Sequence, residues 1–468
     1  MIGAILHGMT SRLEILRWSF VLALLMCCSC KPARQQAESL YKDGVSQSHS
    51  GDKSDAIDCF SEAIEMDPKY TDAYFARGST KQDLLDFAGA ISDYGKAIEL
   101  DPHYEPAFYN KGICELGLKD FDQASTAFSE AIKLSPSDIK AHNYRGLARG
   151  QLRDRNGALD DFNTVIELNP QEATAYRNRA TVEEMSKEYE KALADTSKAI
   201  KLDKWDAITY QIHGRANTSL RKFPEALADF DRAIELNPNS ALAYGGRAST
   251  KLESDDLDGA KSDLEKAIQL DPNNPGTFNT RAYLEEKRGD YTNALADFNR
   301  TVALIPQTPE AYASLGLLEY DLSQWDQALE NLKTALKLDP SITEDVRLYI
   351  WLIQIQTGGK EAANKELGAY VKSLQGEKAK DWHASVGRFL LGNLAEGDLL
   401  NQATTTAKRP SDINGQICSA FYFAGIKHKL AGDNQGAVNF FQKCQKTGDD
   451  NSFEYVSAGF ELRDLKQP

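Results

Sequence analysis

The sequence has few of the residues that interrupt helices or carry chemistry. Its 468 residues include 15 prolines and seven scattered histidines. No two histidines have the His-Glu-x-x-His spacing of a helical metal site. No phosphate-binding glycine loop and no Gly-x-Ser-x-Gly elbow is present. We therefore expect a protein that is not an enzyme and that holds no metal and no cofactor.

Clusters of basic residues are also missing. The chain has 69 acidic and 54 basic residues, a formal net charge of −15, and no run of lysines or arginines. A surface of this charge repels phosphate backbones and anionic membrane surfaces. The composition favours other proteins or peptides as partners and argues against nucleic acid, and it leaves the oligomeric state open.

The longest hydrophobic run lies near the N-terminus. Arg12 and Arg17 precede an apolar stretch that ends at Cys30 and is shorter than the roughly 20 residues that span a bilayer. This order predicts a signal peptide over residues 1–30. Ser29 followed by Cys30 resembles the site where bacterial lipoproteins are cleaved and acylated, although Cys27 stands where an aliphatic residue is usual. We expect an exported protein on the periplasmic face of a bacterial membrane, lipid-anchored through Cys30, or alternatively a soluble periplasmic or secreted one.

The prolines that are present recur with a fixed period. They stand 34 residues apart, with Lys204 in one slot, at Pro68, Pro102, Pro136, Pro170, Pro238, Pro272, Pro306 and Pro340. Alanine precedes every slot by twelve residues, and a glycine or alanine precedes it by 24. Large apolar residues also recur every 34 residues, at positions three or four residues from the small ones. This spacing gives one apolar stripe on each of two helices in every repeat.

These columns resemble the tetratricopeptide repeat (TPR), in nine consecutive units over residues 37–342. The resemblance implies an all-α, right-handed superhelical solenoid of antiparallel helical hairpins, because a single hairpin cannot bury both of its stripes. We expect ten to eleven repeats in total, with degenerate helical repeats over 343–410. A final TPR-like hairpin and a capping helix complete the chain over 411–468.

The C-terminal part carries a second resemblance. The segments "RLYIWLIQIQTG", "DWHASVGRFLLGN" and "FEYVSAGFEL" follow one another over residues 345–465. Their order is similar to that of bacterial envelope lipoproteins of the NlpI type. This resemblance implies an adaptor that holds an envelope protease or a cell-wall hydrolase, although nine regular units are more than that family has.

The first helix of each unit is expected to line the concave face of a TPR superhelix. Its predicted contact residues are apolar at first and polar further along: Tyr41, Phe75, Tyr109, Ile113, Leu116, Asn143, Arg177, Gln211, Arg215 and Asn279. Such a surface suits an extended or helical peptide. The alternative is that the aromatic members pack between helices.

Two further sets of residues have structural interpretations. A basic column (Arg77, Lys111, Arg145, Arg179, His213, Arg247, Arg281) and an acidic column (Asp93, Asp161, Asp195, Asp229, Asp263, Asp297) predict a ladder of exposed ion pairs between helices. Cys418 lies near the start of the first helix of the last hairpin, and Cys444 lies near the end of its second helix. These two ends meet in an antiparallel hairpin, so the two cysteines are candidates for a disulfide.

The sequence thus predicts a non-enzymatic scaffold of the bacterial cell envelope. One alternative is an assembly factor for a secretion or surface-polysaccharide system. Another is an enzyme that uses the C-terminal region, which no motif supports.

Overall fold

The computed structural model describes residues 33–465, apart from 343–344, 377, 379–380, 408–411 and 450–451. The predicted signal segment 1–30 and its candidate lipidation residue, Cys30, lie outside the described residues. The part that is described consists of 25 α-helices and contains no strand. It is an all-α repeat solenoid, as the period of the sequence predicts.

The chain divides into two compact units, which meet in sequence at Leu220 and Arg221. The first unit holds five helical hairpins and one further helix: α1 (Ala33–Ser50), α2 (Lys53–Met66), α3 (Thr71–Asp83), α4 (Phe87–Leu100), α5 (Glu105–Gly117), α6 (Phe121–Leu134), α7 (Ile139–Gln151), α8 (Arg155–Leu168), α9 (Ala173–Met185), α10 (Tyr189–Leu202) and α11 (Ala207–Ser219).

The second unit opens with one helix, continues with three regular hairpins, and ends with less regular helices. Its regular part is α12 (Phe223–Leu236), α13 (Ala241–Glu253), α14 (Leu257–Leu270), α15 (Pro275–Lys287), α16 (Tyr291–Leu304), α17 (Pro309–Asp321) and α18 (Trp325–Leu338). The remainder is α19 (Asp345–Gln356), α20 (Lys360–Ser373), α21 (Trp382–Leu390), α22 (Glu396–Thr405), α23 (Asp412–Leu430), α24 (Asn434–Lys446) and α25 (Phe453–Asp464). Within the described ranges no helix is both long enough and apolar enough to cross a bilayer.

The small and large columns of the sequence meet inside each hairpin. A Cβ atom placed on Gly112 of α5 would lie 2.9 Å from the ring of Phe128 on α6, which is fully buried. Only a residue without a side chain fits so close an approach. In the fifth repeat a fully buried Thr196 replaces the aromatic residue and donates its hydroxyl to the carbonyl oxygen of Ala192 at 2.6 Å. The polar side chain is thereby satisfied inside the core.

The turn between the two helices of a hairpin repeats one conformation. Leu85 adopts a left-handed backbone with φ of 63°, and the next residue, Asp86, caps α4 by accepting a hydrogen bond from the Gly89 amide at 2.9 Å. Among the described residues, seven other than glycine adopt this left-handed conformation: Leu85, Lys119, Arg153, Lys187, Arg221, Asp255 and Ser323. Each costs about 1–2 kcal/mol, which the cap and the packing of the hairpin offset.

Five of the predicted ion pairs form, and their carboxylates are buried rather than exposed. Lys111 instead pairs with Glu115 on its own helix at 3.5 Å, and Asp229 is half-buried. Asp161 is 2% exposed and accepts hydrogen bonds from Arg145 at 2.6 Å and Arg149 at 2.9 Å. Arg145 also donates to Ser129 of the preceding hairpin at 3.2 Å. The equivalent pairs, each at 2.6 Å, are Arg77–Asp93, Arg179–Asp195, Arg247–Asp263 and Arg281–Asp297. The prediction of exposed pairs is wrong, because the second helix places each aspartate beneath the arginine and inside the hairpin.

The candidate disulfide residues lie side by side in the core of the second unit. Cys418 of α23 and Cys444 of α24 are both fully buried free thiols. The Cys418 sulfur is 3.6 Å from the carbonyl oxygen of Cys444. Their disulfide stays a prediction.

Candidate protein-binding surfaces

The predicted aromatic contact residues of the first unit are half-buried. Tyr41, Phe75 and Tyr109 each pack against the large side chain of the second helix in their own hairpin, with ring centroids 5.7, 5.6 and 5.9 Å apart. Each also packs against a second ring (Tyr70, Tyr104 and Tyr144, respectively) at 5.2 to 6.1 Å. Burial raises the pKa of Tyr109 to about 12. These rings stabilise the hairpins and present part of their surface, so packing and exposure occur together.

The two aliphatic residues continue this surface. Ile113 and Leu116, one turn and two turns after Tyr109 on α5, are half-buried against the core around Phe128. We define the first-helix surface of the first unit as the accessible side of α1, α3, α5, α7, α9 and α11.

The predicted polar contact residues already have partners within the unit. Arg215 donates two hydrogen bonds to Glu184 at 2.6 and 2.7 Å, and Arg177 donates to Asp206 at 2.9 Å. Asn143 accepts a hydrogen bond from Asn178 at 2.9 Å. These bonds join successive first helices, so the groups that were expected to hold a ligand also fasten one repeat to the next.

Gln211 departs from the prediction. This residue of α11 is only 5% exposed, so it is not part of the accessible surface. Periodicity assigned Gln211 to the same face as Arg177, but burial is decided by how neighbouring helices pack.

Asn279, the last of the predicted contact residues, lines a cleft of about 490 Å³ in the second unit. Three walls are the first helices of consecutive repeats, α13, α15 and α17, and the fourth is the C-terminal helix α25. The apolar part of the lining includes Leu252, Leu317, Phe453 and Val456. A volume of this size lies within the roughly 300–1,000 Å³ that ligand-binding clefts usually have.

Buried polar and aromatic contacts hold α25 in place. The Ser457 hydroxyl donates to Asp321 at the end of α17 at 2.7 Å, and burial raises the pKa of Asp321 well above its usual range. Phe460 packs against Tyr291 with ring centroids 5.1 Å apart. Glu461, 7% exposed, pairs with Lys429 of α23. The helix therefore packs against α16 and α17 as well as against the last hairpin.

Three charged side chains line the cleft: the carboxylates of Glu253 and Glu286 and the ammonium group of Lys287. Burial raises the pKa of Glu286 to about 7, and it also raises the pKa of Glu253. Within the part of the chain that the structure describes, the side chain of Glu286 makes no ion pair, and burial accounts for the shift in its pKa. The ammonium group of Lys287 lies 3.8 Å from Asp255. Its charge, with that of Arg221, opposes the rise in the pKa of Glu253. The cleft thus combines apolar walls with carboxylates that are shielded from water.

The periodic reading of the sequence found Asn279 but not the rest of the cleft. Tyr283 and Glu286 lie on the same helix, at the spacing of one and two turns that defines a helix face. This spacing was a usable signal. Phe453 and Val456 come from a distant segment, and no pattern in the sequence indicates that α25 returns to these repeats.

Comparison with known protein families identifies the type of repeat. Sequence profiles described as "Tetratricopeptide repeat" match residues 37–70, 76–139, 145–204, 213–275 and 279–341, which is more than half of the chain. The chain belongs to the tetratricopeptide repeat family. Members of this family are generally non-enzymatic scaffolds that bind other proteins or peptides. No curated protein matches the sequence significantly.

Several solved TPR structures are similar to parts of the chain. A tetratricopeptide repeat protein from Parabacteroides merdae is 18% identical, covers 53% of this chain and 98% of its own, and has a TM-score of 0.49. PilF of Pseudomonas aeruginosa is 20% identical, with 46% and 97% coverage and a TM-score of 0.39. MamA from Desulfovibrio magneticus is 18% identical, with 36% and 96% coverage and a TM-score of 0.35. The NlpI-type resemblance of residues 345–465 is not confirmed by these comparisons and stays a prediction.

Proposed function

We propose that this TPR protein is a non-enzymatic adaptor of the bacterial cell envelope, exported and anchored by lipid at Cys30. In this proposal it docks envelope proteases or cell-wall hydrolases. The observation that carries the binding role is the open, apolar-lined cleft on the first helices of the second unit. The half-buried rings of Tyr41, Phe75 and Tyr109 offer a further surface in the first unit. Aromatic side chains of this kind are common energetic anchors of protein interfaces.

The binding role is tested by site-specific crosslinking in cells. A photoreactive amino acid is placed at Ile113 or Asn279, and at the exposed Lys96 of α4 as the control. We expect crosslinked partners from Ile113 or Asn279 and not from Lys96, with a protease or cell-wall hydrolase among them by mass spectrometry. Secretion or polysaccharide-assembly proteins as the only partners would favour the alternative assembly role. The absence of any specific partner would contradict the adaptor role.

The envelope location is tested separately through the candidate lipidation residue. Cells are labelled with a clickable fatty acid, and the parent chain is compared with Cys30→Ala and with the neighbouring control Cys28→Ala. We expect label and membrane association to be lost in Cys30→Ala only. Equal labelling of the parent and Cys30→Ala would show that the anchor is wrong.

A further inference from the structure

The cleft between α25 and the first helices is lined by both apolar and neutral polar side chains, and these indicate the kind of ligand that fits. Leu252, Leu317 and Val456 form apolar walls, which favour a large apolar side chain. Ser249, Asn279 and Ser314 add neutral polar groups along the same opening, as hydrogen-bond partners for a peptide backbone. One side of the cleft is therefore suited to an apolar anchor and another to a main chain.

The charge of the cleft favours a ligand that carries a positive charge. Glu286 has no ion-pair partner among the described residues, and burial is the cause of its raised pKa. Lys287 also lines the cleft, but it lies 3.8 Å from Asp255. Its charge acts together with that of Arg221 on Glu253. Asp321, behind Glu286 at the end of α17, is buried and held by Ser457. A carboxylate in such surroundings gains more from a bound cation than one in water, because the local dielectric is low.

We infer that the cleft binds an extended peptide segment of a partner protein that carries a large apolar residue close to a lysine or arginine. The apolar side chain lies between α17 and α25, against Leu317 and Phe453, and the cation contacts Glu286. This inference rests on the proposed adaptor role and specifies the partner's chemistry. The net charge of −15 attracts basic segments to the whole chain, and Glu286 provides the local selection.

The test uses the full chain and a phage-displayed library of random twelve-residue peptides. We expect the selected peptides to be enriched in a lysine or arginine within a few residues of a large apolar residue. The affinity of a synthetic selected peptide is then measured by fluorescence polarisation. Replacing its basic residue by glutamate is expected to weaken binding about tenfold, the usual effect of losing a charge-assisted hydrogen bond.

Variants of the protein locate the effect. Glu286→Gln keeps the size of the side chain and removes its charge, and it is expected to weaken binding about tenfold. Glu285→Gln is the matched control, because Glu285 precedes Glu286 on α15 and does not line the cleft. It is expected to change affinity less than twofold. Glu286→Lys is expected to bind the glutamate-containing peptide better than the lysine-containing one.

The outcomes separate the two proposals. Equal effects of Glu286→Gln and Glu285→Gln, or selected peptides without basic residues, would overturn the inference about the cleft. If crosslinking from Ile113 still captures a partner, the adaptor role stands and the cleft assignment alone is wrong. If neither surface captures a partner and the library yields no binder, the adaptor role fails as well. Unchanged helical circular dichroism in each variant excludes misfolding as the cause.

Discussion

Glu183 in the fifth repeat is a local defect whose repair should stabilise the protein. In three other repeats this position holds a basic residue, Lys81, Arg149 or Lys251, which contacts the buried aspartate twelve residues later at 2.8 to 2.9 Å. Glutamate stands there in three further repeats, as Glu115, Glu285 and Glu319, and Glu285 also precedes an aspartate by twelve residues. Glu183 places a second carboxylate near Asp195, and one of its oxygens is buried without a hydrogen bond.

The pKa of Glu183 gives the size of the effect. Burial, with the nearby Asp195 as the second cause, raises this pKa from 4.5 to about 7, while Arg179 and Lys191 oppose the shift and Glu188 adds to it. A shift of this size corresponds to roughly 3 kcal/mol as an upper bound. Relaxation and water access reduce this figure, so we expect about 1–2 kcal/mol.

Proton binding by Glu183 decides whether this residue stabilises or destabilises the folded state at a given pH. The folded state holds the proton of Glu183 to a higher pH than the unfolded chain does, so this group destabilises the folded state progressively as the pH rises from about 4.5 to about 7. Glu183→Gln should therefore be nearly neutral at pH 5 and stabilising at pH 8. Glu183→Lys should stabilise further, because it recreates the contact that Lys251 makes with its aspartate.

The assay is thermal unfolding at pH 5 and pH 8, followed by circular dichroism. We expect Glu183→Lys to raise the melting temperature at pH 8 by roughly 2–8 °C. Glu190→Lys, an exposed site on α10, controls for the change in net charge. Equal shifts for the two lysine variants, or a Glu183→Gln effect that does not grow with pH, would refute the reasoning.

Two matched pairs test the packing and the buried ion pairs by chemical denaturation. A Cβ on Gly246 would lie 2.3 Å from the Phe230 ring, so Gly246→Ala should cost about 1–3 kcal/mol. At Gly245 the nearest atom is 3.7 Å away, and Gly245→Ala should be neutral or stabilise by about 0.5–1 kcal/mol. Asp161→Ala leaves two arginines without their buried partner and should cost about 3–5 kcal/mol. Asp160→Ala, at the exposed neighbouring position, should change stability by less than about 0.5 kcal/mol, and similar losses within either pair would contradict the packing described.

The period of 34 residues was enough to predict the helices of the repeats and much of their core. Gly112 and Phe128 were placed in facing columns, and they are in contact. This succeeds because each hairpin contacts mainly its neighbours in sequence, so local spacing sets most of the packing. The same spacing paired Arg145 with Asp161, although it could not show that the carboxylate is buried.

The tertiary structure alone decided where the predicted surface is open. Gln211 shares the register of Arg177 and is buried, so the register alone does not decide which residues are accessible. The cleft around Asn279 needs α25, whose Ser457 reaches Asp321 across 136 residues of sequence. A contact at that separation produces no periodic pattern in the sequence, because it depends on how the irregular helices between the two residues pack. The sequence by itself determined the repeat, its core and its family, and the return of α25 determined the shape and charge of the cleft.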